Sequence, residues 1–234
     1  MNSLLTPPIR TAGRHAGRPR SGPKGRLGAS VRLALAGHRP GERPNGAGVP
    51  ALAVLGRSNV GKSSLLNALL GVPVARVSQT PGRTQALYWY RVDEAFDLVD
   101  CPGYGFAKAS REVRDLLARL IEGFLAGTPG PETALLLVDG RHAPQESDRS
   151  MALFLSNAGI PTVVVATKWD AVKASARARQ LRTLGAEFGR DHRPLLPVSS
   201  ETGENLHALV RLLLERVGAL PRGHVPSGVP ALPS

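Results

Sequence analysis
The sequence predicts a three-layer α/β fold: a six-stranded, mostly parallel sheet with one antiparallel strand, and helices on both faces. Three observations lead there. From residue 49 onward, apolar runs of strand length alternate with segments whose apolar residues recur at helical spacing, six of the first kind and five of the second. Residues 56–63 read Gly-Arg-Ser-Asn-Val-Gly-Lys-Ser and match G-x-x-x-x-G-K-[ST] where the first strand meets the first helix. Apolar residues make up 42% of the 234-residue chain, which supports a full core.

The first predicted strand, 49–55, reads Val-Pro-Ala-Leu-Ala-Val-Leu, the near-continuous apolar run of a buried parallel strand. A helix at 64–70 follows, with Leu65, Leu66, Leu69 and Leu70 at helical spacing. Beyond a polar stretch at 77–85 punctuated by Gly and Pro, runs at 86–92 and 96–99 flank Asp93-Glu94 and read as a hairpin. A loop at 104–110 leads to a helix at 112–125, a strand at 133–138, a helix at 145–157 and a strand at 161–166. A helix at 171–188, a short strand at 195–198 and an amphipathic helix at 205–217 complete the alternation. The chain thus divides into a basic, largely disordered arm at 1–48, a nucleotide-binding domain at 49–220 and a Pro-rich loose tail at 221–234. A short apolar patch at 31–36 reads either as an extra edge strand or as a helix turn.

The chemistry lies at strand ends. Gly56 and Gly61 let the backbone N–H groups around Arg57, Ser58, Asn59 and Val60 close on phosphate oxygens, with the positive end of the next helix behind them. Lys62 then reaches the β- and γ-phosphates, and the Ser63 hydroxyl ligates Mg²⁺. Asp100 ends an apolar strand, where its carboxylate can hold Mg²⁺ through a water. Cys101 and Pro102 follow it, and Gly103 leaves its N–H open to a γ-phosphate; Asp before Pro-Gly also makes ordinary turns. Thr167, Lys168, Trp169 and Asp170 follow the strand at 161–166. There the Asp170 carboxylate can accept the N1–H and N2–H₂ edge of guanine, a donor pair adenine lacks, while the Lys168 stem lies over the base. Taken alone, the same tetrapeptide could be a helix N-cap. Ser199, Ser200 and Glu201 either bring backbone N–H groups near guanine O6 or cap a turn.

Charge points to a polyanionic partner, nucleic acid before membrane, since the formal net charge is +12. Arg10, Arg14, Arg18, Arg20, Lys24, Arg26, Arg32, Arg39 and Arg43 stand against Glu42 alone in residues 1–48, so the arm carries +8 of that total. The arm reads as an RNA-backbone contact, as a compositionally biased tail, or as an organelle transit peptide, the last disfavoured by its scarcity of Ser. Arg177, Arg179 and Arg182 read either as RNA contacts or as the solvated face of a helix. The single cysteine, Cys101, excludes an internal disulfide framework and a Cys-based zinc site. No apolar run approaches the roughly 18 residues of a membrane span.

Taken in order, residues 56–63, Thr84, 100–103, 167–170 and 199–201 resemble the motif set of a translation-factor-type GTPase, and so imply the P-loop GTPase fold. More narrowly, the stretches beginning at Gly56, Thr80 (Thr-Pro-Gly-Arg-Thr-Gln) and Asp100 (Asp-Cys-Pro-Gly-Tyr-Gly-Phe-Ala) resemble the EngB (YihA/YsxC) family of ribosome-biogenesis GTPases. That family lies within the TrmE-Era-EngA-EngB-Septin-like class. The resemblance implies GTP/GDP and Mg²⁺ as ligands and a monomeric, cytoplasmic bacterial protein. It implies a switch role in assembly of the large ribosomal subunit, partnered by precursor rRNA and ribosomal proteins, and a link to cell division and septation. It further implies that Ser63 and Thr84 ligate Mg²⁺, and that Gly82, Arg83, Thr84, Gln85 and Ala86 form a switch ordered around GTP. Lys62, Thr84 and Asn59 are the residues it implies for catalysis. Asn59 resembles an asparagine that, in related GTPases, helps K⁺ stand in for an arginine finger; Arg83 is the competing source of charge. Many GTPases orient the attacking water with a Gln after Asp-x-x-Gly; here that residue is Tyr104, which implies slow intrinsic turnover, raised by docking to the ribosomal particle and by K⁺. Two further departures stand out. Trp169 replaces a small residue, which could alter base stacking but not the guanine-reading Asp170, and the arm exceeds the family's usual length, which leaves a start codon within it open. The alternative is an RNA-binding scaffold in which nucleotide only stabilises the fold. A P-loop kinase or ATPase is disfavoured by residues 167–170 and by the lack of an acceptor-lid insertion.

Overall fold
The computed structural model describes residues 26–44, 48–73, 86–105, 110–188 and 194–220. In chain order the elements are β1 (Val31–Gly37), β2 (Ala51–Gly56), α1 (Lys62–Leu70), β3 (Leu87–Val92), β4 (Phe96–Asp100), α2 (Arg111–Leu125), β5 (Thr133–Asp139), α3 (Glu146–Asn157), β6 (Thr162–Thr167), α4 (Ala174–Phe188), β7 (Leu195–Pro197) and α5 (Leu206–Arg216). The strands form one sheet in the order β1-β3-β4-β2-β5-β6-β7.

Period-two alternation in β2 builds a core on each face. Leu52 and Val54 pack with Leu65, Leu66 and Leu69 of α1 and with Leu206, Leu209 and Leu213 of α5. Ala51, Ala53 and Leu55 face the other way, toward Leu120 and Phe124 of α2, Leu155 of α3, and Leu184 and Phe188 of α4. The parallel run β4-β2-β5-β6-β7 carries its connections on the two faces, so the strand ends bearing Gly56, Asp100 and Thr167 share one rim of the sheet.

The sheet has seven strands, not six. Residues 31–37 resolve as an edge strand, paired antiparallel to β3 from Val31↔Val92 to Gly37↔Leu87 with an irregularity between Leu33 and Leu35. Without it the outer N–H and C=O groups of β3 would lack partners. β3 is antiparallel to β4 as well, so it alone runs against the other six, in keeping with the single antiparallel strand expected. The hairpin turns at Asp93 and Glu94, both with positive φ (48° and 53°). The Asp93 carboxylate then accepts the Ala29 and Ser30 amides, and Leu27 is buried with its N–H on the Leu69 carbonyl. Residues 26–44 of the segment read as an arm therefore pack into the folded unit; residues 1–25 and 221–234 lie outside the described residues. The predicted helix at 171–188 begins later, at Ala174, because a 3-10 turn at Trp169–Ala171 intervenes. No helix among the described residues is long and apolar enough to cross a membrane.

Candidate nucleotide-binding site
β2 is buried along its whole length, so the chain leaves the sheet at a fixed point before α1. The reversal uses two left-handed residues, Asn59 (φ 63°) and Gly61 (φ 103°). Gly61 is the N-cap of α1 and offers its first turn no side chain, and no acidic residue occupies that turn. The leading N–H groups of α1 and the positive end of its dipole are thereby left for an anion.

Two neighbouring segments hold the loop. Thr167 Oγ1 lies 2.5 Å from the Val60 carbonyl and 3.0 Å from that of Val138. Lys168 Nζ donates to the Asn59 carbonyl at 2.6 Å and to Asp139 Oδ2 at 3.0 Å. On the other side, Tyr104 N–H donates to the Gly56 carbonyl at 3.3 Å and Ser58 N–H to the Tyr104 carbonyl at 3.2 Å. Gly103 comes so close that a Cβ there would sit 2.9 Å from Ser58 Oγ, an approach only glycine permits.

At the mouth of this cradle Lys62 Nζ donates to Asp100 Oδ1, with the two residues only 8% and 4% exposed. Burial pushes the Asp100 carboxyl above the usual carboxylate range, and Lys62 opposes that rise. Ser58 Oγ borders the same cradle, buried and without a partner among the described residues. Among the described residues no group of three or more His, Cys, Asp or Glu could hold a metal alone. A hard cation here would draw on hydroxyl, carboxylate and phosphate oxygens, the set that suits Mg²⁺, and half-buried Ser63 follows Lys62 in α1. The residues present fit a magnesium nucleoside phosphate. Cys101 and Pro102 are buried, and burial pushes the Cys101 thiol far up, which leaves it inert. Ala86 is buried at the entry to β3; Gly82, Arg83, Thr84 and Gln85 lie outside the described residues.

The base end is built from the 3-10 turn and the segment after β7. Lys168 adopts a left-handed conformation (φ 56°), which turns the next two side chains apart. The Trp169 indole enters the core under α4, 5.7 Å from the Arg177 guanidinium, while Asp170 is exposed. The Trp169 ring is packed in the core and leaves no face free to stack on a base. Asp170 precedes the start of α4 by several residues and does not cap it. Instead its Oδ1 accepts from Ser199 Oγ at 2.6 Å, which unites the two stretches predicted to read guanine. Ser199 Oγ also accepts the Glu201 and Thr202 amides at 3.2 and 3.0 Å, so this turn caps itself and the Glu201 N–H is already spent. Ser200 sits between them, half-buried. Arg177, one of three arginines weighed as a solvated face, is a brace: it pairs with Glu204 and donates to the Trp169 carbonyl. Arg179 and Arg182 are exposed.

Asp139 was not singled out in the sequence, although it ends β5 as Asp100 ends β4. Burial pushes its carboxyl up, but hydrogen bonds from Arg141 and Lys168 outweigh that and hold it well below the usual carboxylate range. A depressed folded pKa contributes stability that is present above the unfolded value, near 4, and lost as pH falls through the folded one. Asp139→Asn is therefore expected to cost about 2 kcal/mol at pH 7. The gap should begin to narrow only below about pH 4 and close as pH falls through the folded pKa. Urea unfolding at neutral and acid pH checks this; a pH-independent gap would show that the charge is not what Lys168 and Arg141 bind.

A Gly-rich loop opening the N-terminus of α1, a strand-end carboxylate beside it and a second carboxylate, Asp170, held by Ser199 at the base end, together with this sheet, define the P-loop GTPase class. A family profile described as "50S ribosome-binding GTPase" matches residues 51–168. The chain is 42% identical over 188 residues to the "Probable GTP-binding protein EngB" of Thermotoga petrophila, covering 78% of this chain and 94% of that one. It is 43% identical over 169 residues to the protein of the same name in Gemmatimonas aurantiaca, covering 71% and 82%. The chain belongs to the EngB family of GTP-binding proteins, and it is a GTPase. Its structure is similar to a crystal structure of "a probable GTP-binding protein engB" (TM-score 0.60, 26% identity, 73% of this chain and 99% of that one). It is also similar to a variant of Era from Aquifex aeolicus bound to GDP and aluminium fluoride (TM-score 0.60, 26% identity, 75% and 58%).

Proposed function
We propose that this GTPase is a nucleotide-controlled switch in assembly of the large ribosomal subunit, docked on precursor particles with GTP and released after hydrolysis. The observation that carries this reading is a GTP site joined to a strong positive bias, with +8 of the net +12 in the first 48 residues. Such charge suits an RNA phosphate backbone. A cytoplasmic location and a link to cell division belong to the same reading.

In the reaction, the α1 N-terminus and Lys62 meet charge developing on the β–γ oxygens. Ser63, Thr84 and Asp100 would hold Mg²⁺, which when bound supplies further neutralisation of those oxygens. Asp170, steadied by Ser199, reads guanine. Tyr104 does not orient water as a Gln would, because its hydroxyl is committed to Asp148 at 3.3 Å. Residues 82–86 would act as the switch around GTP, and Asn59 would help hold K⁺, which when bound would supply the positive charge of an arginine finger.

Sedimentation with large ribosomal subunits, in GTP analogue, GDP and no nucleotide across a salt series, tests the proposal. Binding is expected to favour the GTP analogue and to weaken steeply with salt. Equal binding in all three states would favour the scaffold alternative, and hydrolysis without binding would remove the ribosomal partner. Turnover in the same preparations should be faster in K⁺ than in Na⁺; equal rates would remove the cation from the reading.

A further inference from the structure
Asp148 lies in the first turn of α3, 1% exposed, and belongs to none of the GTP-binding motifs. Its carboxylate gathers donors from three places. Arg57 of the phosphate loop places Nε 3.1 Å from both carboxylate oxygens. The Tyr104 hydroxyl donates to Oδ1 at 3.3 Å, and the Gln145 backbone N–H donates to Oδ2 at 3.0 Å, closing the first turn of the helix. Arg57 and Tyr104 are also neighbours in a parallel backbone bridge. Two chain segments are thus joined by backbone on one side and by one buried carboxylate on the other.

Stability alone is a weak reason for such a group, since an apolar cluster of similar volume often does as well as a buried ion pair. What it provides is geometry. Ser58 follows Arg57, Gly103 precedes Tyr104, and the two pack so closely that a Cβ on Gly103 would meet Ser58. Behind Tyr104 the structure is not close-packed. A cleft of about 440 Å³ opens between α2 and α3, lined by Gly103, Tyr104, Gly105, Leu117, Ile121 and Phe154 among others. With a cleft at its back, the turn after β4 is held by its backbone bonds to Gly56 and Ser58 and by the Asp148 tie.

We propose that Asp148 is a positioning residue for GTP hydrolysis: by holding Arg57 to Tyr104 it fixes the spacing between the phosphate loop and the turn that carries Gly103. It acts through those two side chains and does not touch the nucleotide. The proposal rests on hydrolysis at this site and is independent of the ribosomal partner.

The test is a double-mutant cycle on single-turnover hydrolysis, with GTP affinity and melting temperature measured on each variant. Asp148→Asn is expected to slow hydrolysis by about ten- to a hundredfold, the scale of a small misplacement of reacting groups. Its GTP affinity should change by less than about twofold, because uniform binding is untouched. Tyr104→Phe, which removes only the hydroxyl, should slow hydrolysis less, and adding it to Asp148→Asn should slow it no further. A lowered melting temperature with an unchanged rate would reduce Asp148 to a helix cap. Parallel losses of rate and affinity would assign it to nucleotide binding, and a faster rate would make it a restraint; each of these overturns the proposal. Should Asp148→Asn fail to fold, Tyr104→Phe alone decides, because an unchanged rate excludes action through that hydroxyl. If the unaltered chain does not hydrolyse GTP, the GTPase reading fails instead, and the two failures are distinct.

Discussion

Asp170→Asn is expected to turn GTP away and admit xanthosine triphosphate. Guanine presents two adjacent donors, N1–H and N2–H₂, and a carboxylate accepts both. An asparagine offers one acceptor and sets its own N–H against the guanine amino group. Xanthine carries a carbonyl in place of that amino group, so the amide finds a matching partner. Ser199 Oγ holds one oxygen of Asp170 at 2.6 Å, which fixes the carboxylate before any base arrives. Losing one hydrogen bond to a charged group and gaining an unmatched donor pair predicts a fall in GTP affinity of about a hundredfold. Competition binding with GTP, ATP and xanthosine triphosphate checks this. Equal GTP binding by the variant and the unaltered chain would remove Asp170 from the base site and leave its bond to Ser199 as a loop brace.

The parts of this site that could be read in the sequence are those where fold and chemistry use the same residues. The phosphate loop is one: Gly61 makes the turn and, lacking a side chain, opens the helix N-terminus to anions. Asp100 is another in its placement, since the apolar run before it carries its carboxylate to the end of β4, against Lys62. Readability ends where a side chain's direction depends on distant partners. Trp169 points inward because Lys168 is left-handed, which no local pattern signals. The β1 strand needed β3 as its partner, from 50 residues (Gly37 to Leu87) to 61 residues (Val31 to Val92) away in sequence, to be distinguished from a helix turn. Asp148 reads locally as the acidic residue of a helix first turn, yet two of its three donors come from loops on other strands. Asp139 differs, because the strand-end rule that found Asp100 finds it too.

Lys62→Ala should separate the structural from the chemical use of the buried pair at the cradle. With Lys62 gone, Asp100, 4% exposed in the intact protein, loses the cation that opposes its desolvation. Breaking a buried pair by removing one partner costs about 3–5 kcal/mol. Hydrolysis should fall by about 10²- to 10³-fold, the loss typical when one preorganised charge is withdrawn from a transition state. Adding Asp100→Asn removes the stranded charge, so the double variant should regain most of the lost stability in urea unfolding. It should regain none of the hydrolysis, because an amide neither replaces the ammonium group nor holds Mg²⁺ as a carboxylate does. If Lys62→Ala proves as stable as the unaltered chain, Asp100 has another way to shed or balance its charge, and the pair is not what holds the cradle. If the double variant recovers turnover together with stability, Lys62 serves the fold alone. Stability restored without activity is the outcome expected of a pair that the fold tolerates for the sake of the phosphates it binds.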